Sequence, residues 1–396
     1  MFIHNPQAIR TPYPATLKQK LNVDAASQCW EHLVQWALIN PTPTPIWDMP
    51  NTAAALGIHA LWIKDESKRS SLDSFKALGA PNALVNLVCQ TFEVEPQGIL
   101  RGDYRNQLQN FGVITATDGN HGRALAAAAQ SAGCPCTIVL HAHVSQERED
   151  AIAMYGANIV RVAGNYDDSV REAKRLAEIN GWTVVSDTSY PGYQTIPLDV
   201  MQGYAVIAME AIIQCPEPPT HVILQGGVGA LAAGVASYYW EHYGADRPCL
   251  MVVEPEQADC LFQSALQQQP ASATGDVDSF MAGLACGETS PIAWEFMAES
   301  IDVFGLIADD DAKATVKQLA HGSHGDVPVV AGESGVAGLA LLNRAFTDGV
   351  LADMGISADA RVLVINTEGA TAPGIFEDVT GKKVAEILYS QVQRAL

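Results

Sequence analysis

Three short stretches of this chain hold residue types whose spacing suits chemistry on a small anionic ligand. In Ser74-Phe75-Lys76 a lysine stands where a helical apolar period begins. A helix N-terminus already carries partial positive charge. Lys76 therefore reads either as a surface lysine at a frayed end or as an amine of depressed pKa, fit for Schiff-base chemistry. The second stretch, ATDGNHGRA from Ala116 to Ala124, reads as a tight turn between a strand and a helix, offering backbone N–H groups to an anion. Its Asp118 sets a carboxylate in that loop, although Asp-Gly is also ordinary turn chemistry. The third, Gln225-Gly226-Gly227-Val228-Gly229-Ala230, follows the strand-like HVIL and precedes a helix. Its glycines let backbone approach an anion closely. It lacks both the Lys-Ser/Thr end of a P-loop and the GxGxxG spacing of dinucleotide sites, so a small monophosphate suits it better than a nucleotide. Asp187, in SDTSYPGY at a strand end, reads equally as a substrate contact or as an Asx-turn aspartate.

These stretches need elements to position them, and the pattern supplies an α/β rhythm. GVITAT, CTIVLH, NIVRVA and WTVVSD read as strands, alternating with helices at HGRALAAAAQSAG (closed by Gly133), SQEREDAIAMYG and YDDSVREAKRLAEING. A second series runs through the helix DVMQGYAVIAMEAII, the strand HVILQG, the helix ALAAGVASYYWEHYG and the strand CLMVVEP, ending on RVLVIN. Such alternation predicts two α/β units, each with a parallel, helix-covered sheet. The strand LWIKDES precedes a helix from about Ser74, capped by Asp73 or Ser74 and kinked or restarted at Pro81. The alternating prolines of INPTPTPIWDMP predict an extended arm.

A net charge of −21 excludes a phosphate backbone as partner, since nucleic acid needs clustered Lys and Arg. No run reads as a membrane span, and the first residues lack the pattern of a secretory signal, so a cytoplasmic protein with no membrane partner is expected. The eight cysteines are scattered, and Cys134-Pro135-Cys136 has the wrong spacing for a zinc or CxxC redox site, so reduced thiols and no metal are expected.

The order of the three stretches along the chain resembles the fold-type II pyridoxal-phosphate (PLP) enzymes, the tryptophan synthase β-like family. The resemblance narrows to its diaminopropionate ammonia-lyase branch through KDESKRSSLDSFKALGA, TATDGNHGRALA, VSDTSYPGYQTIPLDVMQGYAV, VVEPEQADC, MAGLACGE, AGESGVAGL and LVINTEGAT. It covers roughly residues 60–80 and 113–375. Where AFKMLGG is expected this chain has SFKALGA, keeping Gly79 and changing the last glycine to Ala80. The resemblance implies two parallel-sheet α/β domains with the cofactor in the cleft between them: a large one from 1–85 and 205–396, a small one from 86–204. It implies pyridoxal 5′-phosphate bound to Lys76, contacted by Asn120, held at its phosphate by Gly226, Gly227, Val228, Gly229 and Ala230, and met at its ring nitrogen by Thr367, with Asn366 as rival. Glu333 lines the ring or caps the following helix. The implied reaction is an α,β-elimination turning 2,3-diaminopropionate into pyruvate and ammonia. The alternative is a threonine or serine dehydratase, or an eliminase of another β-substituted amino acid. Lys76 would serve the L-isomer and Asp118 the D-isomer. Asp187 would meet the β-amine with Tyr193 nearby, and Thr117, Asn120 and His121 the substrate carboxylate, while His121 also shapes the loop. Cys260 and Cys286 fall in matching blocks and pose the question of a redox link, with free thiols the expectation. The implied assembly is a homodimer acting on a small amino acid.

Overall fold

The computed structural model describes residues 1–117, 119–164 and 166–395, so Asp118, Asn165 and Leu396 lie outside the described residues. Eleven strands are described: β1 (Phe2–His4), β2 (Ile46–Asp48), β3 (Ala60–Asp65), β4 (Val113–Ala116), β5 (Cys136–Leu140), β6 (Asn158–Arg161), β7 (Thr183–Val184), β8 (His221–Gln225), β9 (Cys249–Pro255), β10 (Val303–Ile307) and β11 (Arg361–Asn366). They form a seven-stranded sheet, β1-β10-β9-β8-β11-β3-β2, and a four-stranded sheet, β6-β5-β4-β7.

The small sheet is parallel throughout, as its strand–helix alternation predicts. The large sheet departs from the expectation at both edges, where β1 and β2 pair antiparallel with β10 and β3. Both edge strands are three residues long, too short to show a period of two. The proline-rich arm does run extended, yet it delivers Ile46–Asp48 to the sheet edge, and Pro50 then opens a helix, Pro50–Leu56, from its first turn. Strands β8 to β10 are buried along nearly their whole length, as a sheet covered on both faces requires.

Two helices tie the sheets together. Lys76–Phe92 runs through Pro81 without the expected restart, and Thr195–Gln214 crosses it at close range. A Cβ on Gly79 would come within 2.5 Å of the Tyr204 ring, and one on Gly203 within 2.2 Å of the Leu78 carbonyl. Glycine is the residue that permits this approach. Both boundaries drawn from the resemblance, 85/86 and 204/205, fall inside these helices. Thr195–Gln214 is also long and apolar enough to cross a membrane by length and composition, a correction to the sequence reading, but 67% of its apolar window is buried inside the protein. Every parallel strand of each sheet ends toward a loop, and in open α/β sheets ligands bind beyond those carboxyl ends.

Candidate active site

The loops beyond β3, β4, β7, β8 and β11 converge on one cleft of about 940 Å³. Lys76 lies at its floor. The segment before it is stitched to the end of β11: Phe75 N donates to Thr367 O (3.0 Å) and Gly369 N to Asp73 O (2.8 Å). Lys76 Nζ donates to Asp187 Oδ2 at 2.6 Å and sits 5.2 and 5.7 Å from the ring centroids of Phe75 and Tyr204. The sequence left Lys76 open between a surface lysine and an amine of depressed pKa; in the cleft its side chain is largely enclosed and its pKa is raised. Burial does pull the pKa down, but Asp187 and Tyr204 outweigh it and hold the ammonium well above the ordinary lysine range.

Asp187 answers in the opposite sense. Burial raises its pKa, but the Lys76 charge, then His121, hold the carboxylate well below its usual range. His121 Nε2 pairs with Val185 O at 2.9 Å, while Nδ1 is buried without a hydrogen bond, 3.8 Å from Asp187 Oδ2. Burial, its largest influence, keeps this imidazole neutral, with its pKa below the ordinary histidine value. Tyr193 does not line the cleft. Its hydroxyl accepts from Ser186 N (2.8 Å) and donates to Val184 O (2.9 Å), so it clamps the chain just before Asp187 and has no group to offer a substrate.

Thr117 and Gly119 lie between β4 and the helix Asn120–Ala132, where the sequence predicts a turn. Thr117 Oγ1 accepts from Gly119 N (3.1 Å) and Gly122 N (3.2 Å), folding the turn. Thr117, Asn120 and His121 all line the cleft. Asp118 lies outside the described residues. Asn120 Nδ2 donates to Glu368, a residue the sequence reading passed over although it stands in the quoted LVINTEGAT. Glu368 is buried, accepting also from Ser334 N (3.0 Å) and Thr371 Oγ1 (3.3 Å).

Across the cleft lies the glycine loop, of which Gly226, Gly227, Val228 and Ala230 line the wall. Gly227 and Gly229 take left-handed backbone, φ +73° and +100°. A Cβ on Gly226 would fall 2.4 Å from Glu254 Cγ, and one on Gly229 2.4 Å from Met297 Cε. The helix Ala230–Tyr243 that follows has no side-chain cap, so its first N–H groups stay open to a ligand. Cys260 Sγ donates to Gly227 O at 3.4 Å, bracing the loop from below. All eight cysteines are thiols. Between the rivals beyond β11, Thr367 lines the cleft, whereas Asn366 Nδ2 is bound to Asp65 Oδ1 (2.8 Å) and Val330 O (3.0 Å) beneath it. An amine, a bare N–H cradle and a neutral hydroxyl around one cavity fit pyridoxal 5′-phosphate: the cradle would take its phosphate, Lys76 its aldehyde and Thr367 its ring nitrogen.

Sequence reasoning missed a second residue, Arg148. From the helix Gln146–Ala153 it reaches into the cleft and pairs with Glu333. Burial, and after it the Glu368 charge, push the Glu333 carboxyl up to about 7, with Arg148 pulling the other way.

Residues 38–368 match the family described as pyridoxal-phosphate dependent enzyme. The chain is 37% identical over 337 residues to the diaminopropionate ammonia-lyase of Escherichia coli K12, covering 83% of this chain and 85% of that protein. It resembles the crystal structure of the Escherichia coli enzyme in complex with an aminoacrylate-PLP azomethine reaction intermediate, with a TM-score of 0.86, 33% identity and 96% of each chain covered. The same enzyme in complex with D-serine gives a TM-score of 0.85 at the same identity and coverage.

Proposed function

The chain belongs to the pyridoxal-phosphate-dependent enzymes, in the group of the diaminopropionate ammonia-lyases, and from that premise we propose that it eliminates ammonia from 2,3-diaminopropionate to leave pyruvate. The observation that carries this reading is the Lys76–Asp187 pair, a carboxylate inside the cleft already shaped to hold an ammonium at 2.6 Å. Pyridoxal 5′-phosphate supplies the electron sink for the pair left at Cα when its proton is removed. Lys76 Nζ would hold the cofactor at its aldehyde, and as a free amine it would take the Cα proton of the L-isomer. As a proton-accepting amine Nζ is neutral, and Asp187 would then be left without its cation. The β-ammonium of the substrate takes that place, which selects a diamino acid over serine or threonine. His121, fixed through Val185, stands beside Asp187 with Nδ1 at 3.8 Å. Thr117, Asn120 and His121 orient the α-carboxylate, and Tyr193 holds the backbone that aims Asp187. The Thr367 hydroxyl would meet the ring nitrogen as a neutral partner, which suits elimination over transamination.

Asp118 is assigned to the face opposite Lys76, where it takes the Cα proton of the D-isomer; the D-serine complex of the Escherichia coli relative supports room for that configuration. The reading includes a small unit at 86–204 and a large one at 1–85 with 205–396. It is supported by the four-stranded sheet taking all its strands from within 113–184. It also includes a cytoplasmic homodimer, as the family resemblance implies.

The test is pyruvate release from L- and D-2,3-diaminopropionate by wild type and Asp118→Asn. Turnover of both isomers by wild type, with selective loss of D-isomer turnover in the variant, is expected. Equal loss on both isomers would move Asp118 from proton transfer to β-amine recognition. Efficient serine or threonine turnover without diaminopropionate turnover would replace the reading with a dehydratase.

A further inference from the structure

Once Lys76 is engaged by the cofactor, Arg148 is the one permanent cation among the described residues that line the cleft. Its stem lies along the loop that receives the substrate: an ideal Cβ on Gly119 would stand 3.5 Å from Arg148 Cδ. The base of its helix is fixed twice. Ser145 Oγ accepts from Arg148 N at 3.3 Å, and Glu147 Oε1 accepts from Gly374 N at 3.4 Å. The guanidinium itself is lightly used. Only Nη2 meets a protein acceptor, Glu333 Oε1, and among the described residues none meets Nε or Nη1. Its side chain is 18% exposed, that of Glu333 5%. A half-buried, half-satisfied planar fork beside an amino-acid site is matched to a carboxylate, which takes two parallel N–H donors.

Resting on the function proposed above, we propose that Arg148 is a specificity-determining residue that receives the α-carboxylate of the bound amino acid on the free edge of its guanidinium, with Glu333 holding the opposite edge. The loop from Thr117 to His121 then orients the carboxylate, and Arg148 supplies the positive charge that its neutral groups lack. Glu333 competes mildly for the same cation. Its carboxyl, pushed up by burial and the facing Glu368, gives up its charge near neutral pH and loosens that competition.

The experiment compares a carboxylate ligand with its uncharged amide. Dissociation constants of L-alanine and L-alaninamide are read from the absorbance change of the PLP-loaded protein, for wild type, Arg148→Gln, Arg148→Lys and Glu333→Gln. The expected result is that Arg148→Gln weakens alanine about 10- to 100-fold, the range for a charge-assisted pair. Alaninamide should change by no more than about twofold. Arg148→Lys falls between, keeping charge without the fork, and Glu333→Gln tightens alanine alone. Equal weakening of both ligands, no weakening of either, or no preference for alanine in wild type overturns the proposal. Pyruvate release from diaminopropionate, run on the same preparations, reports separately. If wild type discriminates alanine from alaninamide through Arg148 but releases no pyruvate, the reaction reading falls and the carboxylate assignment stands.

Discussion

Two buried lysines of this protein each hold a carboxylate at 2.6 Å, and they do opposite work. Lys64 is enclosed: its ammonium meets Glu210 Oε2, Thr44 O (2.9 Å) and Gln214 Oε1 (2.6 Å), and Glu210 is shared with Arg69, itself paired to Glu66. Three donors meet three acceptors, and the Lys64 and Glu210 side chains are 0% and 4% exposed. Lys76 meets one acceptor and two aromatic faces, and its pair is 18% and 15% exposed at the edge of a cavity. Burial, the dominant influence, lowers the Lys64 pKa, whereas the Lys76 pKa is raised, with Asp187 the foremost raising charge. A fully answered ammonium locks the chain, and an ammonium with a single partner can be exchanged for another.

The sharpest separation should come from removing each lysine. Lys76→Ala is expected to cut turnover by at least about 10³- to 10⁴-fold, the scale of losing a positioned proton-transfer group. It should also abolish the absorbance of the bound cofactor, yet cost the cofactor-free protein less stability than the Lys64 change, because Asp187 can take up a proton or water. Lys64→Met is expected to cost about 3–5 kcal/mol, since Glu210 is left buried with one cation fewer. Turnover per folded, cofactor-loaded site should stay near wild type. Urea unfolding and cofactor-normalised pyruvate release measure both on the same samples. A Lys64→Met protein that is stable but inactive would erase the distinction between the two pairs.

Next in size is Asp187→Asn. If Asp187 trades the Lys76 ammonium for that of the substrate, kcat/KM for diaminopropionate falls about 10²-fold, within the range for a desolvated charge pair. 3-Chloroalanine, which eliminates without a β-ammonium, should lose far less. Equal loss on both substrates would make Asp187 a partner of Lys76 alone.

How much of this was readable in the sequence follows the same division between local and distant partners. Lys76 at a helix start, the Thr117–Gly122 turn and the Gly226–Ala230 cradle announce themselves within a few residues, because glycine and helix-start chemistry are local. Most strands of the parallel sheets were readable for the same reason, while three-residue β1 and β2 carry too little pattern. Charge pairing was not readable. SQEREDA looks like a solvated helix, and nothing in it says that Arg148 meets Glu333, 185 positions on, or that Asn120 meets Glu368, 248 positions on. The direction of the Lys76 pKa was hidden for the same reason. Burial and helix position are local and both lower it, but the carboxylate that reverses the sign arrives 111 residues later. Tyr193 shows the limit of proximity in sequence: it stands near Asp187 and serves it, through backbone.

A third carboxyl completes the series: among the described residues no cation pairs with it. Asp199, in the first turns of Thr195–Gln214, receives Asn86 Nδ2 at 2.7 Å. Burial, opposed only by that amide, pushes its pKa up from 3.8 to about 6. The folded protein therefore binds this proton more tightly than the unfolded chain. The stability gained from it is fully present below about pH 4 and is lost as pH rises through about 6. With partial exposure allowed for, the loss amounts to about 1–2 kcal/mol across that window. Asp199→Asn cannot titrate, so the difference in Tm between variant and wild type should move in favour of the variant as pH rises from 4 to 6, then level off. Asp187 predicts the reverse slope at lower pH, because its folded pKa lies below the unfolded one and its stabilisation disappears as acid protonates it. Thermal unfolding of wild type, Asp199→Asn and Asp187→Asn between pH 3 and 7 tests both signs together. If the two variants give slopes of the same sign, the partner cation is not what separates these carboxyls.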